Sequence, residues 1–385
     1  MKVLPRLWII LLWPLLLASG ARPATAVGDV QITFTTNPSQ AQIRPHGGPT
    51  GQIAPDEAII EVRDTRGALI PNVQIDFQMD APQTNWFIST DVPRIEGVTL
   101  LKYRFVSPTG RQTFDYIFPI RGDYRLTIQA SPLTPGAFTA TTKTLNLHIA
   151  EKESSLVNLA GFLALLLGFG ALSGFLIARS HLAARAGVAP AQVSLTPGAL
   201  TLLIVAAAGW VAFLAYAEVA DARETEVSLR AAQLVETASA SNAHAKLKLS
   251  VEAPQTITPS QPATLIGRLT DANGAPISSV HYDVSVIQIE DSKTVFAASA
   301  DSVDGTFNWT YDFWDGTEHA VEIVASPASG SAAHFEPLIL EHTVDITPLA
   351  PPLRVKLLNT SYLTALIGLG VAAGVGLARR RARAG

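Results

Sequence analysis

The sequence predicts a mainly β protein carried on membrane helices, with two antiparallel β-sandwiches and three transmembrane segments. Three observations predict it. Residues 154–178, 195–217 and 357–378 are apolar runs without a charged side chain, and a helix needs about 20 such residues to cross a bilayer. Residues 27–153 and 245–348 alternate apolar and polar side chains with period two, as half-buried strands do. Clusters of Gly, Pro, Asn and Asp cut both stretches at short intervals, as hairpins require.

In chain order, residues 1–26 have the form of a signal peptide. Lys2 and Arg6 precede an apolar core at 7–17, and Ala24-Thr25-Ala26 offers small residues for cleavage. The first alternating region, 27–153, carries Val73, Ile75, Phe77 and Met79 in one phase, then Tyr124, Leu126, Ile128 and Ala130. The first two spans follow, joined by a loop at 179–194 that holds Arg179 and Arg185 and no acid. Residues 218–244 lack Gly and Pro and are rich in Ala, Glu and Leu, so they are expected to form a helical stalk. The second alternating region, 245–348, precedes the third span and a basic tail at 379–385. Arginines flanking spans mark the cytoplasmic side. Together with an export signal they place both sandwiches outside a multi-pass inner (plasma) membrane protein, and the loop and tail inside.

The two alternating regions also match each other. Asp64-Thr-Arg-Gly67 through Val73 lies against Asp271-Ala-Asn-Gly274 through Val280. Thr113-Phe114-Asp115-Tyr116 resembles Thr306-Phe307-Asn308-Trp309. Ile128-Gln-Ala130-Ser131-Pro132 resembles Ile323-Val-Ala325-Ser326-Pro327. Three ordered matches, each region followed by a span, predict an internal duplication of one sandwich plus one anchor.

The pattern Asp-x-x-Gly-x-Pro before an apolar strand, Asp271 to Pro276 here, resembles a turn of bacterial immunoglobulin-like modules of the cell envelope, among them YtkA-like, FixH-like and invasin-type domains. The resemblance covers about half of the chain, both sandwiches and not the spans. It implies an immunoglobulin-like fold. Some such modules bind copper through Met and His. That function is not carried over, because Met1 and Met79 are the only methionines.

Composition narrows the chemistry. The chain has no cysteine, which excludes disulfides, thiolate metal sites and thiol nucleophiles. Residues 245–348 hold 14 acidic and 4 basic residues, which argues against nucleic acid as a partner. Gly-x-Ser-x-Gly, His-Glu-x-x-His and phosphate-loop patterns do not occur. No cofactor is expected, and the acidic turns around Asp304-Gly305 and Asp315-Gly316 are expected to serve hairpins rather than calcium.

Candidate site residues are few. His319 and His342 fall in the phase of the inward strand positions and are metal-ligand candidates, with nearby glutamates, for a nitrogen and oxygen site. Trp314 falls out of phase with Trp309, Tyr311 and Phe313 and is the candidate for an exposed contact. Gly170 and Gly174, and Gly370 and Gly374, are four apart, the spacing that lets membrane helices approach closely. The functional expectation is a non-enzymatic protein, integral to the bilayer, that presents immunoglobulin-like domains to a membrane or periplasmic protein partner or assembles a membrane complex. The alternative is a periplasmic accessory protein that handles a divalent cation.

Overall fold

The computed structural model describes residues 29–46, 55–85, 87–185, 233–254 and 257–384. The expected signal peptide, the span at 195–217 and the stalk as far as residue 232 lie outside them.

The first half has seven strands: β1 Gln31–Asn37, β2 Asp56–Arg63, β3 Val73–Asp80, β4 Thr99–Ser107, β5 Arg111–Tyr116, β6 Gly122–Pro132 and β7 Thr141–Ile149. They pair antiparallel as β1-β2-β5 and β4-β3-β6-β7. The second half has eight: β8 Gln233–Ser241, β9 Ala245–Pro254, β10 Ala263–Asp271, β11 Val280–Gln288, β12 Lys293–Ser302, β13 Thr306–Tyr311, β14 His319–Pro327 and β15 Leu338–Val344. These pair as β8-β9-β10-β13 and β12-β11-β14-β15. Apart from β8, the two halves have the same strand order, an immunoglobulin-like arrangement. Strict alternation sets the core: β2 and β3 both bury every second residue.

The turns correspond atom by atom. Asp64 Oδ1 accepts the amides of Arg66 and Ala68, each at 2.9 Å. Asp271 Oδ1 accepts those of Asn273 at 2.9 Å and Ala275 at 2.8 Å. Gly67 and Gly274 supply the positive φ, 84° and 85°. At the next hairpin the Ser107 hydroxyl donates to the Arg111 carbonyl, and the Ser302 hydroxyl to that of Thr306. This fixes the correspondence: Ala58 lies opposite Phe114, and its counterpart Leu265 lies opposite Trp309. Phe114 therefore matches Trp309, and Tyr116 matches Tyr311. The sequence match of Phe114 to Phe307 is out by two residues, a slip that period two cannot detect.

The halves do not stand as separate sandwiches. Strand β5 pairs with β12, Tyr116 opposite Phe296 and Phe114 opposite Ala298. Strand β13 pairs with β4, Tyr311 opposite Leu101 and Trp309 opposite Tyr103. Each pair is the counterpart of the other under an exchange of halves. The flanking amides obey the same exchange: Ile117 N–H donates to Val295 O at 3.0 Å, and Asp312 N–H to Leu100 O at 2.9 Å. Two strand layers thus run through both halves around an approximate twofold axis, and a pair between β4 and β12 joins them into one continuous sheet. Aromatic rings meet across the junction, with Phe296 of the second half at 6.3 Å from Tyr103 and 6.4 Å from Phe114 of the first.

The expected helical stalk at 218–244 is corrected at its end. Gln233–Ser241 is a strand, paired along its length with β9. Asn242 Oδ1 accepts the amides of His244 and Ala245 and turns the chain between them. An available sheet edge outweighs the small helix preference of alanine, and Ala238 and Ala240 pack on the core in period two.

Two helices leave the same end of the molecule: α1, Glu153–Arg185, after β7, and α2, Leu353–Ala384, after β15. Both are long and apolar enough to cross a membrane. They extend past the expected limits of 178 and 378 into the loop and the tail, because arginine is a good helix former and suits a helix C-terminus. They run parallel and pack closely. A Cβ on Gly170 would meet the Ile367 carbonyl and one on Gly370 the Leu167 carbonyl; likewise Gly174 meets Val371 and Gly374 meets Ala171. These contacts are reciprocal, so the helices follow the same twofold relation as the sheets.

Candidate functional site

The helix-proximal end holds a cleft that gathers charged, amide and aromatic side chains of both halves. This cleft, of about 480 Å³, lies where loops of both halves meet above the two helices. Its lining includes His46, Asp91, Arg94 and Lys152 from the first half, and Gln288, Asp291, Lys293, Trp314 and Asp315 from the second. Lys152 directly precedes α1, and Pro351, also in the wall, precedes α2.

Several of these groups are desolvated. Lys293 and Gln288 are buried, and the Gln288 side-chain amide donates to Asp315 Oδ2. Burial holds the Lys293 ammonium below its ordinary value. His46, at a φ of 58°, sets its ring 5.5 Å from that of Trp314. Its pKa is lowered by burial, with Lys293 and Lys152 adding to the effect, so the imidazole is neutral near pH 7. The cleft thus combines an aromatic wall, the buried Gln288 amide and charges of both signs, which suits a polar or zwitterionic group better than a purely apolar one.

Behind the cleft, at the junction of the halves, sits a buried polar cluster. The carboxyl of Asp312 is fully buried; Oδ1 accepts the Ser260 amide at 3.2 Å, and Oδ2 has no protein partner. Burial pushes its pKa up to about 7. The hydroxyls of Tyr116 and Tyr311 are buried beside it. Asp56, opposite Tyr116 on β2, is buried too and raised to about 6 by desolvation.

The sequence candidates fare differently. Trp314 was expected at the surface. It is 4% exposed. Strand β13 ends at Tyr311, so period-two phase no longer governs the next residues, and Asp312, Phe313 and Trp314 all turn inward. His319 is buried, and its Nδ1 lies 2.8 Å from the Thr317 carbonyl. Burial keeps it neutral. It stands where the first half has Tyr124, whose hydroxyl donates to Ile120 O at 2.6 Å and accepts the Ile120 amide at 3.1 Å, a tyrosine corner. His342 lies opposite Val321 on β15, and His319 opposite Val344. Among the described residues no group of three His, Asp or Glu is placed to hold a metal ion. The four helix glycines lie at the α1–α2 contact. Sequence reading missed Arg94, Lys152 and Lys293, and took the acidic turn that holds Asp312 and Asp315 for hairpin geometry alone. One signal was available: Lys293 is among just four basic residues in an otherwise acidic region.

No protein-family model matches this chain, and no curated protein matches it. Among solved structures, invasin, a bacterial integrin-binding protein, aligns at 9% identity over 84% of this chain and 40% of its own, with a TM-score of 0.19. A two-domain fibronectin type III segment of chicken tenascin aligns at 8% identity over 82% of this chain and 97% of its own, TM-score 0.16. The alpha-2-macroglobulin of E. coli aligns at 10% identity over 85% of this chain and 17% of its own, TM-score 0.22. The chain thus spans less than half of the invasin structure, and at these scores the likenesses decide neither fold nor function.

Proposed function

We propose that this chain is an integral membrane protein of the cell envelope that presents a fused pair of immunoglobulin-like sandwiches outside the inner membrane and binds or assembles a protein partner there, without catalysis. The observation that carries this reading is the parallel pairing of α1 and α2 from one end of the β module. Helix α1 is about 50 Å long at 1.5 Å per residue, yet β8 lies back in the sheets. The apolar stretch 195–217 has the length and composition of a third span. Three crossings leave both halves on one side, in agreement with Arg179, Arg185, Arg379, Arg380, Arg381 and Arg383. An internal duplication accounts for the matching halves, and the Asp271–Pro276 turn is the sole link to YtkA-like and FixH-like modules. The buried state of His319 does not favour the metal-handling alternative.

The test is purification of the full chain in mild detergent with mass spectrometry of co-purifying proteins, alongside reporter fusions after Arg383. A reproducible membrane partner with a cytoplasmic C-terminus is the expected outcome. A reporter active only outside the cytoplasm overturns the topology, and a partner-free protein overturns the assembly role.

A further inference from the structure

The connection between β3 and β4 breaks the twofold relation. In the second half residues 289–292 suffice to join β11 to β12; in the first half residues 81–98 make the same connection. The added length is strapped to both helix origins. Arg94 Nε donates to Ala350 O at 3.0 Å, just before α2. Arg121, paired with Glu151 just before α1, donates to Ser89 O at 3.2 Å. At its tip, Asn85 Oδ1 accepts the amides of Phe87 at 2.9 Å and Ile88 at 3.3 Å, closing a tight turn. That turn points two large apolar side chains outward: Phe87 is 66% and Ile88 62% exposed. Tyr362 then holds the turn against α2, its hydroxyl donating to Phe87 O at 2.9 Å.

The depth of that contact matters. From Leu353 to Tyr362, α2 carries Arg354, Lys356, Asn359, Thr360 and Ser361; after Tyr362 no charged residue occurs until Arg379. Tyr362 thus stands where polar helix gives way to apolar helix, the level at which tyrosine sits in membrane helices. We propose that the turn at Phe87 and Ile88 is a wedge that inserts into the headgroup and acyl boundary of the bilayer beside α2, so that the β module rests on the lipid surface in a fixed orientation. This rests on the reading of α2 as a membrane span.

The absence of native cysteine makes the test direct. The full chain carrying Ile88→Cys, labelled with an environment-sensitive fluorophore, is placed in phosphatidylcholine and phosphatidylglycerol nanodiscs with and without a spin label on the lipid near the headgroup. Leu369→Cys on the exposed face of α2 serves as control. The expected result is blue-shifted emission at position 88, quenched at least twofold by the lipid label. Water-like emission at 88 with a quenched control overturns the wedge and leaves the span intact. Blue-shifted emission without lipid quenching also overturns it, since residues 195–217 or another protein then cover the turn. A control that is itself unquenched overturns the span, and with it the wedge.

Discussion

Val106 on β4 pairs with Asp301 on β12, and the two residues are counterparts: Val106 lies opposite Gln74, Asp301 opposite His281, and Gln74 and His281 occupy the same place in β3 and β11. A residue that meets its own counterpart marks the point where a twofold axis passes. This one pairing therefore locates the axis that relates both halves, both junction ladders and both helices.

The shared sheets predict cooperative unfolding. Phe296 meets Tyr103 and Phe114 of the other half at 6.3 and 6.4 Å across the junction. Truncating Phe296 to Ala should cost about 3–5 kcal/mol and lower the stability of both halves together. Calorimetry should show one transition before and after substitution. Two transitions assignable to separate halves would mean that the junction is not integral to the fold.

The helix contact predicts symmetric sensitivity. Gly174→Leu and Gly374→Leu each drive a side chain into the facing backbone, Val371 and Ala171 respectively. Overpacking of this kind costs about 1–3 kcal/mol. Both variants should lower the melting temperature of the detergent-solubilised protein similarly, while Gly368→Leu, where a Cβ meets nothing, should not.

Asp312 predicts an acid-side gain in stability. Its folded pKa of about 7 exceeds the usual 3.8, so the folded state holds the proton more tightly than the unfolded state. The stabilisation is full below about pH 4 and is lost as pH rises through about 7. By linkage the span is on the order of 4 kcal/mol. Denaturant titrations from pH 4 to 8 should show stability falling with pH, with a smaller fall from Asp56. Asp312→Asn should flatten the profile; an unchanged slope would assign the effect elsewhere.

The corner residues predict unequal consequences. Tyr124→Phe removes a hydroxyl that both donates and accepts, so it leaves the Ile120 amide and carbonyl unpaired at a cost of about 1–3 kcal/mol. His319→Tyr tests whether the second half tolerates the first half's residue. Chemical denaturation of both variants reads the difference.

Much of this was legible in the sequence. Alternation located β3, β6, β11 and β14, because a half-buried strand must put every second residue in the core. The turns at Asp64 and Asp271 were legible because a short side chain capping two amides leaves a local pattern. The fusion of the halves was not. Edge pairing between β5 and β12 uses backbone groups that every residue carries, so no side-chain period announces it. Trp314 was misplaced for a related reason: strand phase says nothing once the strand has ended. Strand β8 was hidden because Ala, Leu and Glu favour helices in isolation, and only the neighbouring edge of β9 decides otherwise. The cleft gathers residues from distant segments, and such convergence has no linear spacing.

The symmetry break at residues 81–98 bears on stoichiometry. A dimer of identical subunits displays each surface twice, and a partner that docks on one copy has a second waiting. Here only one of the two connections is long, and the cleft beside it mixes residues from unlike loops. Among the described residues one chain therefore offers a single such place, on the side nearest the helices. A partner that engages it would bind one to one and would approach from one side only, which gives an otherwise two-faced assembly a front and a back.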